Sequence, residues 1–236
     1  MNKELFEQEI KKLNISLTQE QKKQLDTFYK LLIEWNKKMN LTGITEENQV
    51  YLKHFYDSLT LIKATDLTKS IKLCDVGSGA GFPGIILKIV FPNLDITLID
   101  SLQKRINYLN EVINQLGLTN IKAIHYRMED FSKENEEEFD VITARAVANT
   151  KLLTEISIKA LKTKGQMIFM KAKIDDELID IDNLFNNLGC SIQNKIEFNL
   201  PIENSTRTLI VITKNKTTPN KYPRRIDQIK KIHCKK

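Results

Sequence analysis

Cysteine is scarce in this 236-residue chain: three residues, an odd number without Cys-x-x-Cys spacing, argue against a disulfide framework and against a thiolate zinc site. A reducing compartment fits that usage. No run of about 18 apolar residues occurs, and Met1 is followed by Asn, Lys and Glu rather than by an apolar leader, so neither a membrane span nor export is expected. Internal repeats and Gly/Ser-rich linkers are missing too. With 41% apolar residues the chain can bury one good core, so a single domain with appendages is expected rather than two domains. Glycine is sparse as well, eight residues, yet four of them fall between positions 77 and 84.

That cluster is the segment Leu73-Cys-Asp-Val-Gly-Ser-Gly-Ala-Gly-Phe-Pro-Gly84, an apolar strand running into closely spaced glycines and then a helix expected over residues 84–91. Gly77, Gly79 and Gly81 allow a sharp turn and close approach of a ligand, and Pro83 suits the first turn of the helix. A pyrophosphate-binding dinucleotide loop wants G-x-G-x-x-G, but its sixth position is Phe82 here and the spacing is G-x-G-x-G. Asp75 stands just before the first glycine. Together these favour S-adenosylmethionine, whose sulfonium and amino group gain from a nearby carboxylate and which brings no phosphate to a helix N-terminus. About 20 residues further on, the apolar run Asp95-Ile-Thr-Leu-Ile-Asp100 ends in a carboxylate placed to accept from ribose hydroxyls. Capping of the helix that follows is the alternative role for Asp100.

The run Asp75-Val-Gly-Ser-Gly-Ala-Gly-Phe-Pro-Gly-Ile85, then Leu98-Ile-Asp-Ser101 with Lys104-Arg105, Arg127-Met-Glu129, Ala144-Arg-Ala146 and Tyr222-Pro-Arg-Arg225, resembles the bacterial small-subunit ribosomal RNA methyltransferase G family, also called glucose-inhibited division protein B. Upstream, Trp35-Asn36, Met39-Asn-Leu-Thr42, His54 and Asp57-Ser-Leu59 extend the resemblance over nearly the whole chain. The resemblance implies S-adenosylmethionine-dependent methylation of N7 of one guanine in 16S rRNA, in a loop near the decoding centre. The implied partner is that RNA or the small ribosomal subunit, met by a monomeric cytoplasmic enzyme. It also places Met128 and Glu129 at the adenine, Phe82 beside the cofactor, and Arg145 where it sees both cofactor and RNA. Core packing is the competing role for Phe82, and a surface ion pair for Arg127 with Glu129.

The pattern of elements predicts an α/β, Rossmann-like fold of seven strands with helices at the N-terminus. An amphipathic helix is expected over residues 19–38, where Leu25, Phe28, Tyr29, Leu32, Trp35 and Met39 recur at helical steps, with Thr18 and Gln21 as its cap. A second helix is expected over 46–63. Strands follow at 71–76, 95–100, 121–126, 139–144, 165–172, 191–198 and 206–213, with helices at 104–116, 151–161 and 175–188, and the acidic run Glu134 to Glu138 reads as a solvated loop. This divides the chain into a helical extension (1–65), a methyltransferase core (66–213) and a basic tail (214–236). Between Lys214 and Lys236 nine Lys or Arg face one acid, Asp227, a balance of +8 within a net +6, so the rest of the chain carries −2. Such a tail is an electrostatic handle for nucleic acid, with Arg224 and Arg225 able to stack on bases as well as pair with phosphate. A solvated end is the plainer alternative. Arg127 and Arg207 are further RNA candidates, each with a structural ion pair as its competing role.

Arg145 is the residue nearest to catalysis in this reading, because ligands bind outside the carboxyl ends of strands in such sheets and a guanidinium flanked by alanines reaches into that crevice. His54 and Asp57, three apart on one helix, read as a helix–helix hydrogen-bonding anchor of the N-terminal part to the sheet rather than as an acid/base pair, since guanine N7 offers a lone pair and loses no proton. Cys74 reads as a small apolar core residue. No Asn-Pro-Pro-Tyr or Asp-Pro-Pro-Tyr segment of the kind that holds an exocyclic amine is present. Two other classes share parts of the pattern: a nicotinamide-dependent oxidoreductase would keep the loop and Asp100, and a non-catalytic ribosome-binding module would keep only the basic end.

Overall fold

The computed structural model describes residues 1–172, 174 and 177–233. Seven strands form one sheet in the order β3-β2-β1-β4-β5-β7-β6: β1 (Lys72–Val76), β2 (Asp95–Asp100), β3 (Ile121–His125), β4 (Phe139–Arg145), β5 (Leu161–Lys171), β6 (Cys190–Asn199) and β7 (Thr206–Lys214). The first five are mutually parallel, and β7 runs antiparallel between β5 and β6. The chain winds outward from β1 to β3 and then returns to β4 on the other side of β1. The crevice beyond the carboxyl ends of β1 and β4 is therefore the switch point of the sheet, where such folds bind ligands.

Period-two alternation sends one set of side chains to each face. Leu73, Ile96, Leu98, Val141 and Ile168 join one core, and Cys74, Val76, Ile99, Ile142 and Met167 join the other. The first core is covered by α5 (Gly84–Val90), α6 (Gln103–Gln115) and the N-terminal helices α1 (Lys3–Lys11) and α2 (Gln19–Met39). The Thr18–Gln21 capping box forms as expected, and Gln21 also donates to the carbonyls of Ile89 and Val90, tying α2 to α5. On the other face lie α7 (Met128–Glu134), α8 (Thr150–Ser157), α9 (Asp182–Leu188) and α10 (Ile226–His233).

The helix expected over 46–63 is a continuous helical run whose middle departs from α geometry: α3 (Glu47–Val50), a π turn (Tyr51–Tyr56), α4 (Asp57–Leu59) and a 3-10 turn (Thr60–Lys63). The start of β5 lies four residues ahead of its expected position, since Gly165 sits inside the strand against the backbone of Asp140 and Lys162 rather than at its first position. The helix expected over 175–188 is observed from Asp182, its expected start at Asp175 and Asp176 lying outside the described residues. At the C-terminus the structure differs from the expected tail. The segment after β7 folds back on the sheet, burying Thr218, Tyr222 and Ile229, and α10 follows; only Cys234, Lys235 and Lys236 lie outside the described residues.

Candidate active site

The loop after β1 is pinned by its own backbone. Gly77 and Ser78 donate to the Ile99 carbonyl at 2.8 and 3.1 Å, and Gly79 donates to Asp100 Oδ2 at 3.0 Å. Gly79 takes φ +56°, where a side chain costs about 1 kcal/mol. A Cβ there would meet nothing nearer than the Gly77 carbonyl at 3.7 Å, so the space above the loop is open. Gly84 works by close approach instead: a Cβ would collide with Leu98 and come within 2.8 Å of Asp75 Oδ2.

Asp75 lies beneath this loop rather than on the cleft wall. It is fully buried, Oδ2 accepts from the Gly84 amide at 3.0 Å, and Oδ1 has no hydrogen-bond partner among the described residues. Burial pushes its carboxyl up to about 7 against the pull of the Gly84 amide. A buried carboxylate short of partners favours a cation nearby. Asp100 is more fully engaged: Oδ2 also accepts from Arg105 at 3.2 Å, and Oδ1 accepts from the Leu102 amide at 3.0 Å. The Leu102 bond closes a turn ahead of α6, whose N-cap is Leu102 and which has no side-chain cap, so Asp100 does not cap that helix; it borders the cleft with lone-pair capacity left for a ligand.

Two spaces meet at Gly77, Asp100, Ser101 and Val147. One, with a cavity volume of about 350 Å³, lies above the glycine loop under Thr42, His54, Phe82 and Arg145. The other, about 210 Å³, is walled by Val76, Ile99, Met128, Ile156 and Ile226, with Glu129 as an acidic group at its side. Met128 and Glu129 are buried in the first turn of α7, a helix absent from the expected elements. Arg127 stands outside them, its side chain 64% exposed and 3.9 Å from Glu129, too far for a hydrogen bond.

Arg145 ends β4 and is nearly enclosed. Its Nη1 donates to the Lys53 carbonyl at 3.1 Å and approaches Asp57 Oδ2 at 3.5 Å, and Nη2 meets His54 Nδ1 at 3.2 Å. The helical run thus presents carbonyl, carboxylate and imidazole to a guanidinium from the sheet. A guanidinium only donates, so Nδ1 must accept and the imidazole proton sits on Nε2, which donates to Thr42 Oγ1 at 2.9 Å. The 3.1 Å approach of Nδ1 to the Lys53 carbonyl then carries no proton. Burial, with the Arg145 charge beside it, pulls His54 down to about 3, so the ring is neutral near pH 7. Phe82 is clamped between these groups, 4.9 Å under the guanidinium and stacked on His54 at 4.5 Å, while it still borders the cleft. Core burial and contact with the cleft both hold for this residue.

Beyond Arg145 a third space of about 530 Å³ opens, bordered by Lys53, Asp57, Arg145, Lys171 and Arg207. Ala146 turns the corner at φ +56°, a left-handed conformation uncommon for a residue with Cβ, and Val147, 42% exposed, borders all three spaces. Arg207 Nε lies 3.3 Å from buried Asp57 Oδ1; burial raises the Asp57 carboxyl while the two guanidiniums oppose it. Arg224 is committed elsewhere, to fully buried Glu155, and Arg225 is 81% exposed. The five arginines therefore share no single surface. Lys53, Lys171 and Ile226 were not singled out in the sequence; the π turn brings Lys53 to the clefts, the end of β5 brings Lys171 and the folded C-terminus brings Ile226.

This sheet order with a glycine loop at its switch point defines the class: the fold is that of S-adenosylmethionine-dependent methyltransferases. A SAM-dependent methyltransferase from Aquifex aeolicus superposes with a TM-score of 0.51 at 17% identity, covering 77% of this chain and 98% of that one. An MtNAS variant in complex with S-adenosylmethionine gives 0.55 at 18%, covering 84% and 76%. The family model described as rRNA small subunit methyltransferase G matches residues 21–199. Proteins named ribosomal RNA small subunit methyltransferase G are 46% identical over 229 residues in Lactobacillus johnsonii and 43% over 228 residues in Listeria monocytogenes, each covering 95% of this chain and 96% of the relative. The chain belongs to the ribosomal RNA small subunit methyltransferase G family and is a methyltransferase.

Proposed function

We propose that the protein methylates N7 of one guanine in 16S rRNA, in a loop near the decoding centre of the small ribosomal subunit, with S-adenosylmethionine as the donor. The residues fit that cofactor: an open cradle at Gly79, a carboxylate at Asp100 for ribose hydroxyls, an apolar slot beside Glu129 for the adenine, and buried Asp75 beneath the loop as a counter-charge for a cation. The observation that carries the reading is the wall Arg145-Ala-Val147, which separates the glycine-loop cleft from a second space large enough for a splayed nucleotide and rimmed by Lys53, Lys171 and Arg207. When bound, the cofactor supplies a sulfonium methyl that the N7 lone pair takes while the sulfur keeps the electron pair, so no proton is lost.

The side chains present match such a reaction. His54 is neutral with both ring nitrogens in use, which leaves it a positioning residue for Arg145 rather than a base. Arg145, braced by Asp57 and the Lys53 carbonyl, holds the partition between donor and acceptor spaces, and catalysis rests on alignment and exclusion of water. N7 in a paired A-form stem lies in a groove too narrow for protein, so the target is presented in an open loop or splayed. Arg127, Arg207 and Arg225 are the proposed RNA contacts, and Arg224 contributes through the placement of its segment. Action as a cytoplasmic monomer is part of the same proposal. The test is transfer of labelled methyl to small subunits, followed by mapping of N7-methylguanine in the RNA; label at a single 16S guanine is expected, and label on an exocyclic amine or none on RNA would overturn it.

A further inference from the structure

The C-terminal helix lies beyond the residues matched by the family model, yet it is fastened at both ends to α8. Ahead of it, the Arg224 amide, Nε and Nη2 donate to the Glu155 carboxylate at 3.2, 2.7 and 2.6 Å. At its last residue His233 Nε2 lies 3.1 Å from the same carboxylate, and Asn149 donates to the His233 carbonyl at 2.9 Å. Ile229 is fully buried in the core between them. With these points fixed the rotation of the helix is fixed, and Ile226 and Lys230, one helical step of four apart, both border the 210 Å³ cleft. Val76 and Ile99 of the sheet line the same cleft, as does Ile156, which follows Glu155 directly on α8. The residue that clamps the helix is thus next to one that walls the cleft.

We propose that α10 forms part of the cofactor pocket, with Ile226 supplying the outer apolar wall against the adenine ring. The proposal rests on the reading of this cleft as the S-adenosylmethionine site and deepens it. A flat aromatic base is held by apolar surface on its faces and polar groups at its edge, and Ile226 adds an apolar residue from the C-terminal helix to those that Val76 and Ile99 bring from the sheet. Charged residues dominate the exposed part of this segment, which hides the role from composition: Ile226 stands between Arg225 and Asp227.

Calorimetric titration of the full chain with S-adenosylmethionine and with 5′-methylthioadenosine, which keeps the adenine and ribose but not the amino-acid end, tests this. Ile226→Asp is expected to weaken both ligands by the same factor, about tenfold or more, the scale of a lost apolar contact in a specificity pocket. Ile226→Trp, which adds bulk without charge, is expected to weaken both as well and serves if the Asp variant does not fold. Gly79→Arg is the control for the site itself. Unchanged affinities in the Ile226 variants alongside lost binding in Gly79→Arg would overturn the role of α10 and leave the cofactor site standing. Undiminished binding by Gly79→Arg would overturn the site, and a loss confined to S-adenosylmethionine would overturn the adenine assignment.

Discussion

The glycine loop is held by its own backbone, whereas the C-terminal segment across the cleft is held by side chains of another element. The Gly77 and Ser78 amides end on the Ile99 carbonyl, Gly79 on Asp100, Gly81 and Phe82 on the Ser78 carbonyl and Gly84 on Asp75, all within the β1–β2 unit. The C-terminal segment hangs on Glu155, which gathers Arg224 and His233, and on the burial of Tyr222 and Ile229. The loop is therefore part of the sheet's own stability. The segment is a separable unit whose docking free energy is concentrated in one buried carboxylate and a few apolar contacts, the kind of element that opens locally before the whole protein does.

The largest effect should come from filling the loop's open side. Gly79→Arg is expected to abolish S-adenosylmethionine binding, a drop beyond about 100-fold, with Tm lowered only by the about 2 to 4 °C that a residue with Cβ in the left-handed region costs in a protein of this size. Unfolding of the variant would show the loop to be less self-contained than its hydrogen bonds indicate. Next, Arg224→Ala leaves buried Glu155 with only the amide of position 224 and His233 as partners and should cost the C-terminal segment about 3 kcal/mol. Hydrogen exchange should then quicken across 226–233 while the β1 and β2 amides keep their protection; uniform quickening would erase the distinction between the two regions. Asp100→Ala should cost about 1 to 3 kcal/mol of cofactor affinity, the range for removing a partner from a charge-assisted bond, and should also lower Tm because the Gly79 and Leu102 amides lose their acceptor.

The pH response separates two buried groups with opposite signs. Folded His54 sits at about 3 against an ordinary 6.5, so its contribution is complete above about 6.5 and is lost as pH falls toward 3. Folded Asp75 sits at about 7 against an ordinary 3.8, so its contribution is complete below 3.8 and is lost as pH rises through 7. Between pH 5 and 6.5 the two offset each other. His54→Gln should therefore gain stability relative to the unsubstituted protein as pH is lowered across that window, and Asp75→Asn should lose it; parallel Tm curves for all three would refute both assignments. The smallest effect belongs to Arg225→Ala: one lost phosphate contact should reduce the salt slope of RNA binding by about 1 and leave cofactor affinity unchanged.

What was legible in the sequence follows the same division. The strand Asp95–Asp100 lies at its expected boundaries, and the glycine loop and the Thr18 cap are where local pattern put them, because each is determined by residues close together in the chain. The π turn at Tyr51–Tyr56 has no such signature. Its shape goes with an Arg145 that arrives 91 residues later and donates to its carbonyls. The same holds for α10: Lys and Arg at nine of the last 23 positions read as a basic tail for nucleic acid, and the pairing that folds the segment back depends on Glu155, 69 residues from Arg224. His54 and Asp57 were read as structural because guanine N7 needs no base, and their spacing put them on one face without identifying Arg145 as their partner on the sheet. For Arg207 a structural ion pair was one of the two expected roles, and its partner is Asp57; Arg224 carried no such expectation, because Glu155 lies far from it in the chain.

The central claim is that the joined clefts at the carboxyl ends of β1, β2 and β4 hold S-adenosylmethionine rather than a dinucleotide. Parallel calorimetric titrations of the purified full chain with S-adenosylmethionine and with NADH test it most directly. Saturable binding of S-adenosylmethionine at one site per chain, with no heat of binding from NADH, is the predicted result; saturable NADH binding without S-adenosylmethionine binding would contradict it.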